Sequence, residues 1–327
     1  MSEIPLGYFS MKVLQEPQEG NKGVIVLSQV DEVVDKMPHV RDQFYIIERR
    51  GWRGLNESRY ADIKLVEDLS LWDETLRTFP DSICLDIGPA DFVDTETFRP
   101  TGEIKDYDGI QVSHWTDFKR PELFVRGAGL IPQRKFVKLG HFVDDGTAAE
   151  YELRDKCIRL AEEIGAQIDF PYSDARTNAD FPGSKETMNS YVNRSGVGIL
   201  TTKVEGINRF KMECLSAGVP VIVPQDTSHP TKKHITPETG AEFEPTPQGL
   251  ARTIEDVLSH PERYNPRGYI LRTTGKPIAL KKLRGALEQV CERDCVPCHF
   301  DGIDWDSRNQ SLIWGQRVFE GLRKYGG

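Results

Sequence analysis

Two glutamates with seven residues between them, Glu205 and Glu213, lie in the stretch KVEGINRFKMECLSAGVPVIV (203–223). The residue types along this stretch predict a short loop, a helix and a buried strand. Glu213 falls about two turns into the helix and has apolar neighbours in the sequence. A carboxylate in so apolar a helix usually requires a partner or a ligand. One carboxylate in the loop and one in the helix could bind two pairs of ligand hydroxyls; the alternative is an ordinary solvated helix edge.

The loop before this helix offers groups that suit an anion. Gly206 lets the backbone come close to a ligand, because it carries no side chain. Asn208 and Arg209 place hydrogen-bond donors at the start of the helix. The helix N-terminus itself favours negative charge. The loop therefore adds an anion site to the two carboxylates.

A second polar group, His114, Lys119 and Arg120, follows an apolar segment at 109–115. Lysine and arginine at the start of a helix, together with free backbone N–H groups, suit a phosphate. The alternative is a basic pair on an exposed helix end. Both groups need elements that bring them to one place.

The elements around these residues alternate between apolar strands and amphipathic helices. The predicted strands are 23–30, 42–50, 61–68 and 82–88, then, after a polar linker at 93–109, 109–115, 135–142, 166–172 and 197–202. Continuous apolar strands alternating with helices are typical of parallel sheets covered on both faces. We therefore predict an α/β protein with two doubly wound, Rossmann-like domains and a cleft between them. Ligands of such sheets bind beyond the carboxyl ends of the strands, here the loops 113–119, 140–147, 171–175 and 201–209.

The composition narrows the classes of partner. The chain has 327 residues and a formal net charge of -9, which argues against unspecific attraction to nucleic-acid backbones. No apolar run approaches the roughly 20 residues that span a bilayer, and the first residues do not form a signal peptide. A cytoplasmic protein is the expectation, with peripheral membrane contact left open.

Three of the six cysteines, Cys291, Cys295 and Cys298, form a C-x3-C-x2-C pattern followed by His299. This spacing can hold zinc or an iron–sulfur cluster, and it matches the cluster motif of radical enzymes that use S-adenosylmethionine. That motif normally precedes a barrel, whereas here about 30 residues follow it. Free thiols are the preferred interpretation, and a cluster-bearing enzyme is the alternative.

Four segments in order resemble retaining GT-B glycosyltransferases, specifically the glycosyl transferases group 1 (family 4-like). EGINRFKMECLSAGVPVIV (205–223) is similar to their E-x7-E signature, and DFVDTETFRP (91–100) to their linker. GIQVSHWTDFKRPELFVRGAGLI (109–131) resembles their strand and helix with the conserved lysine. ETGAEFEP (238–245) resembles the segment before a later helix. The resemblance covers roughly residues 60 to 265, and it implies a nucleotide-diphospho sugar as substrate.

The resemblance also implies roles for individual residues. Lys119 would contact the diphosphate, Glu205 the hydroxyls of the donor sugar and Glu213 those of the ribose. The implied catalytic residues are Glu205 and Lys119, and the implied donor-binding residues are Glu213, Gly206, Ile207, Asn208, Arg209, His114, Arg120, Phe170, Pro171 and Tyr172. The segment 170–172 would flank the base. No metal and no cofactor are expected; the substrate would be UDP- or GDP-linked.

Three departures from the family pattern matter. His114 stands where the family has an arginine, so its charge depends on pH. Asn208 replaces a loop glycine. The first domain is short, about 92 residues before the linker, and its only histidine, His39, is a weak match to the family's cleft histidine. We predict a reduced first domain at 1–100, a nucleotide-sugar-binding domain at 101–304, and a C-terminal helix at 305–327 that packs back on the first domain.

The leading functional hypothesis is a retaining glycosyltransferase acting on an unidentified acceptor: a saccharide, a lipid or a small molecule. The alternative is a GT-B-like nucleotide-sugar-binding protein without transferase activity, which the short first domain favours. A DNA-modifying transferase of the same architecture is disfavoured by the acidic composition, and no nucleic acid is expected as partner. The sequence does not specify an oligomeric state.

Overall fold

The computed structural model describes residues 9–49, 58–142, 146–174, 184–300, 302–306 and 312–326. The chain divides into two compact units, the first formed by Met1–Phe92 with Lys276–Gly327 and the second by Val93–Gly275. Within the described residues, no helix combines the length and the hydropathy needed to cross a bilayer.

The first unit begins with four strands and three helices interleaved, and then a fifth strand. Its elements are β1 (Ser10–Gln15), β2 (Gly23–Leu27), α1 (Val30–Lys36), α2 (His39–Gln43), β3 (Phe44–Arg49), β4 (Ile63–Leu65), α3 (Trp72–Thr78) and β5 (Ile83–Leu85). The second unit contains β6 (Tyr107–His114), α4 (Pro121–Gly129), β7 (Lys135–His141), α5 (Ala148–Glu163), β8 (Gln167–Asp169), α6 (Lys185–Asn193), β9 (Ser195–Ile199), α7 (Arg209–Ser216), β10 (Val221–Pro224), α8 (His229–Lys232), β11 (Gly240–Phe243), α9 (Pro247–Ser259) and α10 (Pro266–Thr273). The chain then returns to the first unit with α11 (Lys276–Asp294), β12 (Ile313–Trp314) and α12 (Arg317–Arg323).

The sheet of the first unit has the strand order β12-β1-β2-β3-β4-β5. Strands β2 to β5 are parallel, whereas β1 runs antiparallel to β2 and β12. The residues of β2 are all buried, because alternate side chains enter two different cores. Val24 and Val26 pack with α11, while Ile25 and Leu27 pack with α1 and α12. A sheet covered on both faces accounts for the continuous apolar strands.

The C-terminal segment differs from the sequence-based expectation of one helix. Ile313 and Trp314 form β12, which pairs with β1, and α12 covers only seven residues. Gly315, at φ 65°, separates the two elements in a conformation that a continuous helix does not adopt. The side chain of Phe319 in α12 packs edge-on against Phe9, with ring centroids 5.2 Å apart. Residues 307–311 of the predicted helix lie outside the described part of the chain.

The boundary between the units also differs from the predicted division at residue 304. Helix α11 belongs to the first unit, because its apolar face, including Leu283 and Leu287, packs against the strands of that unit. Trp305 follows it and stacks on Phe92, with ring centroids 4.5 Å apart. An amphipathic helix shows that it must cover a sheet, but not which of two sheets.

The sheet of the second unit has the order β11-β10-β9-β6-β7-β8, and every strand pair in it is parallel. Numbered from β6, this is the order 3-2-1-4-5-6 of dinucleotide-binding sheets. The chain direction of winding reverses between β6 and β9, and ligands of such sheets bind beyond the strand ends at that point. The predicted α/β class with two mostly parallel sheets is confirmed.

Candidate functional site

The carboxyl ends of β6 and β9 bring together the two polar groups that the sequence singled out. His114 is the last residue of β6, and Lys119 ends a short 3-10 turn directly after it. Glu205 lies in the loop after β9. Two backbone contacts tie these loops to each other: the Lys203 N–H donates to the Phe118 carbonyl at 2.8 Å, and the Thr201 hydroxyl donates to the Lys119 carbonyl at 2.6 Å. The reversal point of the sheet therefore holds the candidate site.

Lys119 and Glu205 form an ion pair at the centre of this site, in which the Lys119 ammonium donates to Oε2 of Glu205. Asn208 Nδ2 donates to the same oxygen at 2.9 Å. Burial acts to raise the pKa of Glu205, but the charge of Lys119 and the hydrogen bonds from Lys119 and Asn208 outweigh it, so this pKa lies below its usual value. Glu205 is therefore ionised at neutral pH, and it keeps its second oxygen, Oε1, for a further donor.

The backbone of Glu205 is held by hydroxyls that follow β10. Its N–H donates to Ser228 Oγ at 2.8 Å, and that hydroxyl donates to the Glu205 carbonyl at 2.6 Å. Thr231 Oγ1 donates to the same carbonyl at 3.1 Å. Ser228 and Thr231 were not among the residues predicted from the sequence. Their position after the strand next to β9 was the available signal.

Asn208 has two functions at the start of α7, because its amide has both donors and an acceptor. Its oxygen accepts the Lys211 N–H at 2.9 Å and caps the helix, while its nitrogen donates to Glu205. A glycine at this position would provide neither bond. Of the neighbouring predicted residues, Gly206 and Ile207 are buried and Arg209, the first residue of α7, is exposed.

Glu213 lies in the second turn of α7 and is only 3% exposed. The adjacent Cys214 reflects this burial: desolvation and the charge of Glu213 both raise the pKa of its thiol. The structure thus places Glu213 inside the second unit, not on the solvated edge of its helix.

His114 has a neighbour that the sequence analysis did not single out, His141 at the end of β7. The two residues are paired in the parallel register of β6 and β7, and their ring centroids are 3.9 Å apart. Burial, followed by the charge of Lys119, lowers the pKa of His114 to about 4. Burial, followed by the charge of His114, lowers the pKa of His141 to about 2. Both rings are therefore neutral at pH 7. The strand-end loops of the prediction included position 141, but not this residue as a site member.

Arg120 does not point its guanidinium to the Lys119–Glu205 pair. It forms a two-pronged ion pair with Asp226 at 2.8 and 2.9 Å and donates to the carbonyls of Thr201 and Thr202. The expectation that Arg120 binds a ligand phosphate therefore conflicts with its bonds. The structure gives it another task, which is to fasten the loops after β6, β9 and β10 to one another.

The segment expected to flank a base, Phe170, Pro171 and Tyr172, follows β8 at the same edge of the sheet. Phe170 lies 6.3 Å from Trp115, centroid to centroid, and Trp115 follows His114 directly. Tyr172 packs edge-on against Tyr191, and Pro171 is exposed. The ring contact with Trp115 links this segment to the loop that carries Lys119.

The cysteine pattern near the C-terminus belongs to α11 and the loop after it. Cys291 is buried in the helix, whereas Cys295 and Cys298 are exposed. Cys298 Sγ lies 4.0 Å from the carbonyl oxygens of Leu287 and Glu288. Among the described residues, no group of three or more histidine, cysteine, aspartate or glutamate side chains has the geometry to hold a metal ion.

Two surface depressions lie apart from the Lys119–Glu205 pair. One of about 540 Å³ in the first unit is lined by Lys22, Val34, Asp35, Pro38, Arg41, Asp42 and Tyr60. One of about 250 Å³ in the second unit is lined by Asp117, Arg120, Pro121, Glu122, Leu123, Leu153 and Pro245. We place the candidate site by its convergent charged groups and the sheet topology, since neither depression is lined by Lys119, Glu205 or His114.

No protein-family model and no curated protein matches the sequence. Solved structures do match the fold. Sucrose-phosphate synthase from Thermosynechococcus elongatus superimposes with a TM-score of 0.60 at 16% identity, over 78% of this chain and 71% of that one. HepE from Anabaena, solved in complex with UDP, gives 0.62 at 10% identity over 83% and 79%. The pneumococcal O-GlcNAc transferase GtfA, solved with UDP and GlcNAc, gives 0.55 at 14% identity; the match covers 80% of this chain and 55% of that one. The chain therefore has the two-sheet α/β fold of GT-B glycosyltransferases.

Proposed function

We propose that the protein is a glycosyltransferase that moves a sugar from a nucleotide-diphospho sugar to an acceptor with retention of anomeric configuration. The observation that carries this proposal is the buried Lys119–Glu205 pair at the reversal point of the second sheet. A cation and an ionised carboxylate side by side match the two parts of such a donor: the anionic diphosphate and the hydroxyl-bearing sugar. The UDP complexes of HepE and GtfA, which share the fold, support the ligand class.

The proposed roles follow from the chemistry of each group. Lys119 binds the diphosphate as a compact positive charge. Glu205 accepts hydrogen bonds from sugar hydroxyls through the oxygen that Lys119 and Asn208 leave available. The N–H groups at the start of α7 face the same anion, since the first turn of a helix leaves them without internal partners. Glu213, buried further along α7, binds the ribose hydroxyls.

The proposed reaction breaks the bond between the anomeric carbon and the diphosphate oxygen, and forms a bond from that carbon to the acceptor oxygen on the same face. The departing diphosphate gains negative charge as the bond breaks, and Lys119 stabilises this charge in a site shielded from water. The acceptor proton leaves to an oxygen of the departing diphosphate. Arg120 acts indirectly, because its bonds to Asp226 and to the Thr201 carbonyl hold the loop of Lys119 in place.

The second candidate function is nucleotide-sugar binding without transfer. The observation that favours it is the small number of residues, Met1–Phe92, that precede the second unit. A first unit of this size, completed by Lys276–Gly327, leaves less chain for an acceptor site than the family pattern implies. The two functions share the donor site and differ in whether a glycosylated product forms.

A thermal-shift screen of UDP- and GDP-linked sugars tests the shared donor site. A ligand that binds only the folded state raises the melting temperature according to the ratio of its concentration to its Kd. The Kd of the stabilising nucleotide is then measured for Lys119→Ala and Glu213→Gln. Each loses a charge-assisted contact of about 1.5–3 kcal/mol, so Kd should rise by roughly 10- to 150-fold.

Lys203→Ala is the matched control, because Lys203 is an exposed lysine on the loop that also carries Glu205. Its Kd should remain that of the unaltered protein. Unchanged binding in both Lys119→Ala and Glu213→Gln would remove the proposed site. With donor binding established, product formation from a panel of acceptors separates transfer from binding alone, and the anomeric coupling constant of the product tests retention.

A further inference from the structure

The carboxyl ends of β6 and β7 carry two histidines, His114 and His141, called here the histidine pair. Their rings lie 3.9 Å apart, centroid to centroid, with their planes inclined by 48°. The Nδ1 atom of His114 is buried and has no hydrogen-bond partner among the described residues. A buried ring nitrogen without a partner is costly, and in a native site it usually indicates a missing ligand or solvent group.

The charged groups around the histidine pair come from four elements. Lys119 lies on the turn after β6, Lys138 on β7 and Arg209 at the start of α7, and all three act to lower the pKa values of both histidines. Glu205, in the loop after β9, is the carboxylate that acts on His114 in the opposite direction. Three cations against one carboxylate make the surroundings of the pair positive, which suits a ligand with more than one negative charge.

Lys138 is itself unusual, because it is fully buried beneath the pair. Its Nζ donates to Ser113 Oγ at 2.9 Å and lies 4.4 Å from the ring centroid of Trp115. Burial lowers the pKa of Lys138 to about 7. A second group near the pair can therefore exchange a proton at neutral pH, and any test must separate it from the histidines.

The pair is neutral at pH 7 in the absence of a ligand, because burial and the surrounding cations disfavour a further positive charge. A diphosphate within about 4–6 Å reverses the local potential, and an opposite charge at that distance raises a pKa by about 1–3 units. Starting from about 4, the pKa of His114 then comes near neutrality.

We propose that the histidine pair receives the donor diphosphate together with Lys119 and takes up a proton from solvent onto a ring nitrogen as the diphosphate binds. This inference rests on the proposed function and deepens it. An arginine at position 114 would bind the same group with a fixed charge; the histidines make donor affinity depend on pH. Donor binding strengthens as pH falls, and release of the nucleotide returns the proton to solvent.

Isothermal titration calorimetry with UDP or GDP, whichever stabilises the protein, measures the proton directly. The apparent enthalpy is compared between two buffers of different ionisation enthalpy at pH 6.5 and 7.5. We expect net proton uptake and a Kd that falls by about twofold to threefold from pH 7.5 to 6.5, as a bound-state pKa of about 6.5–7 dictates. His114→Arg carries a permanent charge, so the uptake and this added pH dependence should both disappear. Subtracting its titration removes the ligand's own protonation.

Two further variants assign the proton. His141→Asn removes one ring of the pair and should reduce the uptake, whereas Lys138→Met should leave it in place. Uptake that persists in His114→Arg, or that disappears in Lys138→Met alone, overturns the inference, since the proton would then reside elsewhere.

Pyrophosphate, a probe without base or sugar, separates the inference from the proposed function. Nucleotide binding without proton uptake refutes the inference and leaves the function intact. Pyrophosphate binding with uptake that His114→Arg abolishes, while no nucleotide binds, supports the inference and refutes the function. If neither probe binds, both are wrong.

Discussion

Acidification from pH 7 to pH 5 should destabilise the second unit through His114 and His141. Their pKa values in the folded protein, about 4 and about 2, lie below the value of 6.5 for an unperturbed histidine. The unfolded chain therefore binds protons that the folded chain refuses, and stability rises with pH wherever this holds. The contribution is present in full above pH 6.5. It is lost as pH falls toward 4 for His114, and it continues to fall toward pH 2 for His141.

The size of the effect follows from these pKa values by linkage. At pH 5 the unfolded form of each histidine is almost fully protonated and the folded form almost fully neutral. The difference from pH 7 is about 2 kcal/mol for each histidine, so about 4 kcal/mol is the upper bound for the two together. Against a total folding free energy of about 5–15 kcal/mol this is a large share.

Urea unfolding at pH 7 and pH 5 measures this loss, and a double variant, His114→Asn with His141→Asn, isolates the two rings. Other groups titrate in both proteins, so the difference between their acid losses should be about 3–4 kcal/mol. His260→Gln, at an exposed histidine after α9, is the control and should keep the original acid loss. An equal acid loss in the double variant, or NMR titration of either ring with a midpoint near 6.5, would refute the reasoning.

Two structural predictions concern the frame of the site. Arg120→Ala removes a bidentate ion pair and two carbonyl contacts; it should lower stability by about 1–3 kcal/mol, while Asp226→Asn should cost less, because the carbonyl bonds remain. Equal melting temperatures in calorimetry would contradict this. Gly240→Ala would place a Cβ 1.8 Å from the Val221 carbonyl oxygen and should cost at least about 3 kcal/mol, whereas Gly285→Ala, with no atom within 4 Å, should stabilise α11 by about 0.5–1 kcal/mol in urea unfolding.

Much of the second unit was predictable because its signals are local. Apolar strands and amphipathic helices appear in the order that the sequence predicts, and the structure shifts their ends by only a few residues. The rule that ligands bind beyond the carboxyl ends of parallel strands brought Lys119, Glu205 and His114 to one edge before any coordinates were consulted. The structure places them there, since strand direction and loop position follow from the alternation of elements.

The first unit was less predictable because its ends come from distant parts of the chain. Strand β1 was not predicted, and β12 lay within a predicted helix. Both depend on pairing between Ser10 and Trp314, and no local pattern reveals such a pairing. The assignment of α11 to the first unit likewise depends on which sheet its apolar face covers.

The sequence by itself determined the fold class, the order of the elements and the residue types at the donor edge. Only the tertiary structure decided the contacts: the pairing of Lys119 with Glu205, the turn of Arg120 to Asp226, and the placement of His141 against His114. The physical reason is range. Periodicity and strand ends are encoded within a few residues, whereas a hydrogen bond or a pKa shift depends on groups that only the packed sheet brings within a few ångströms.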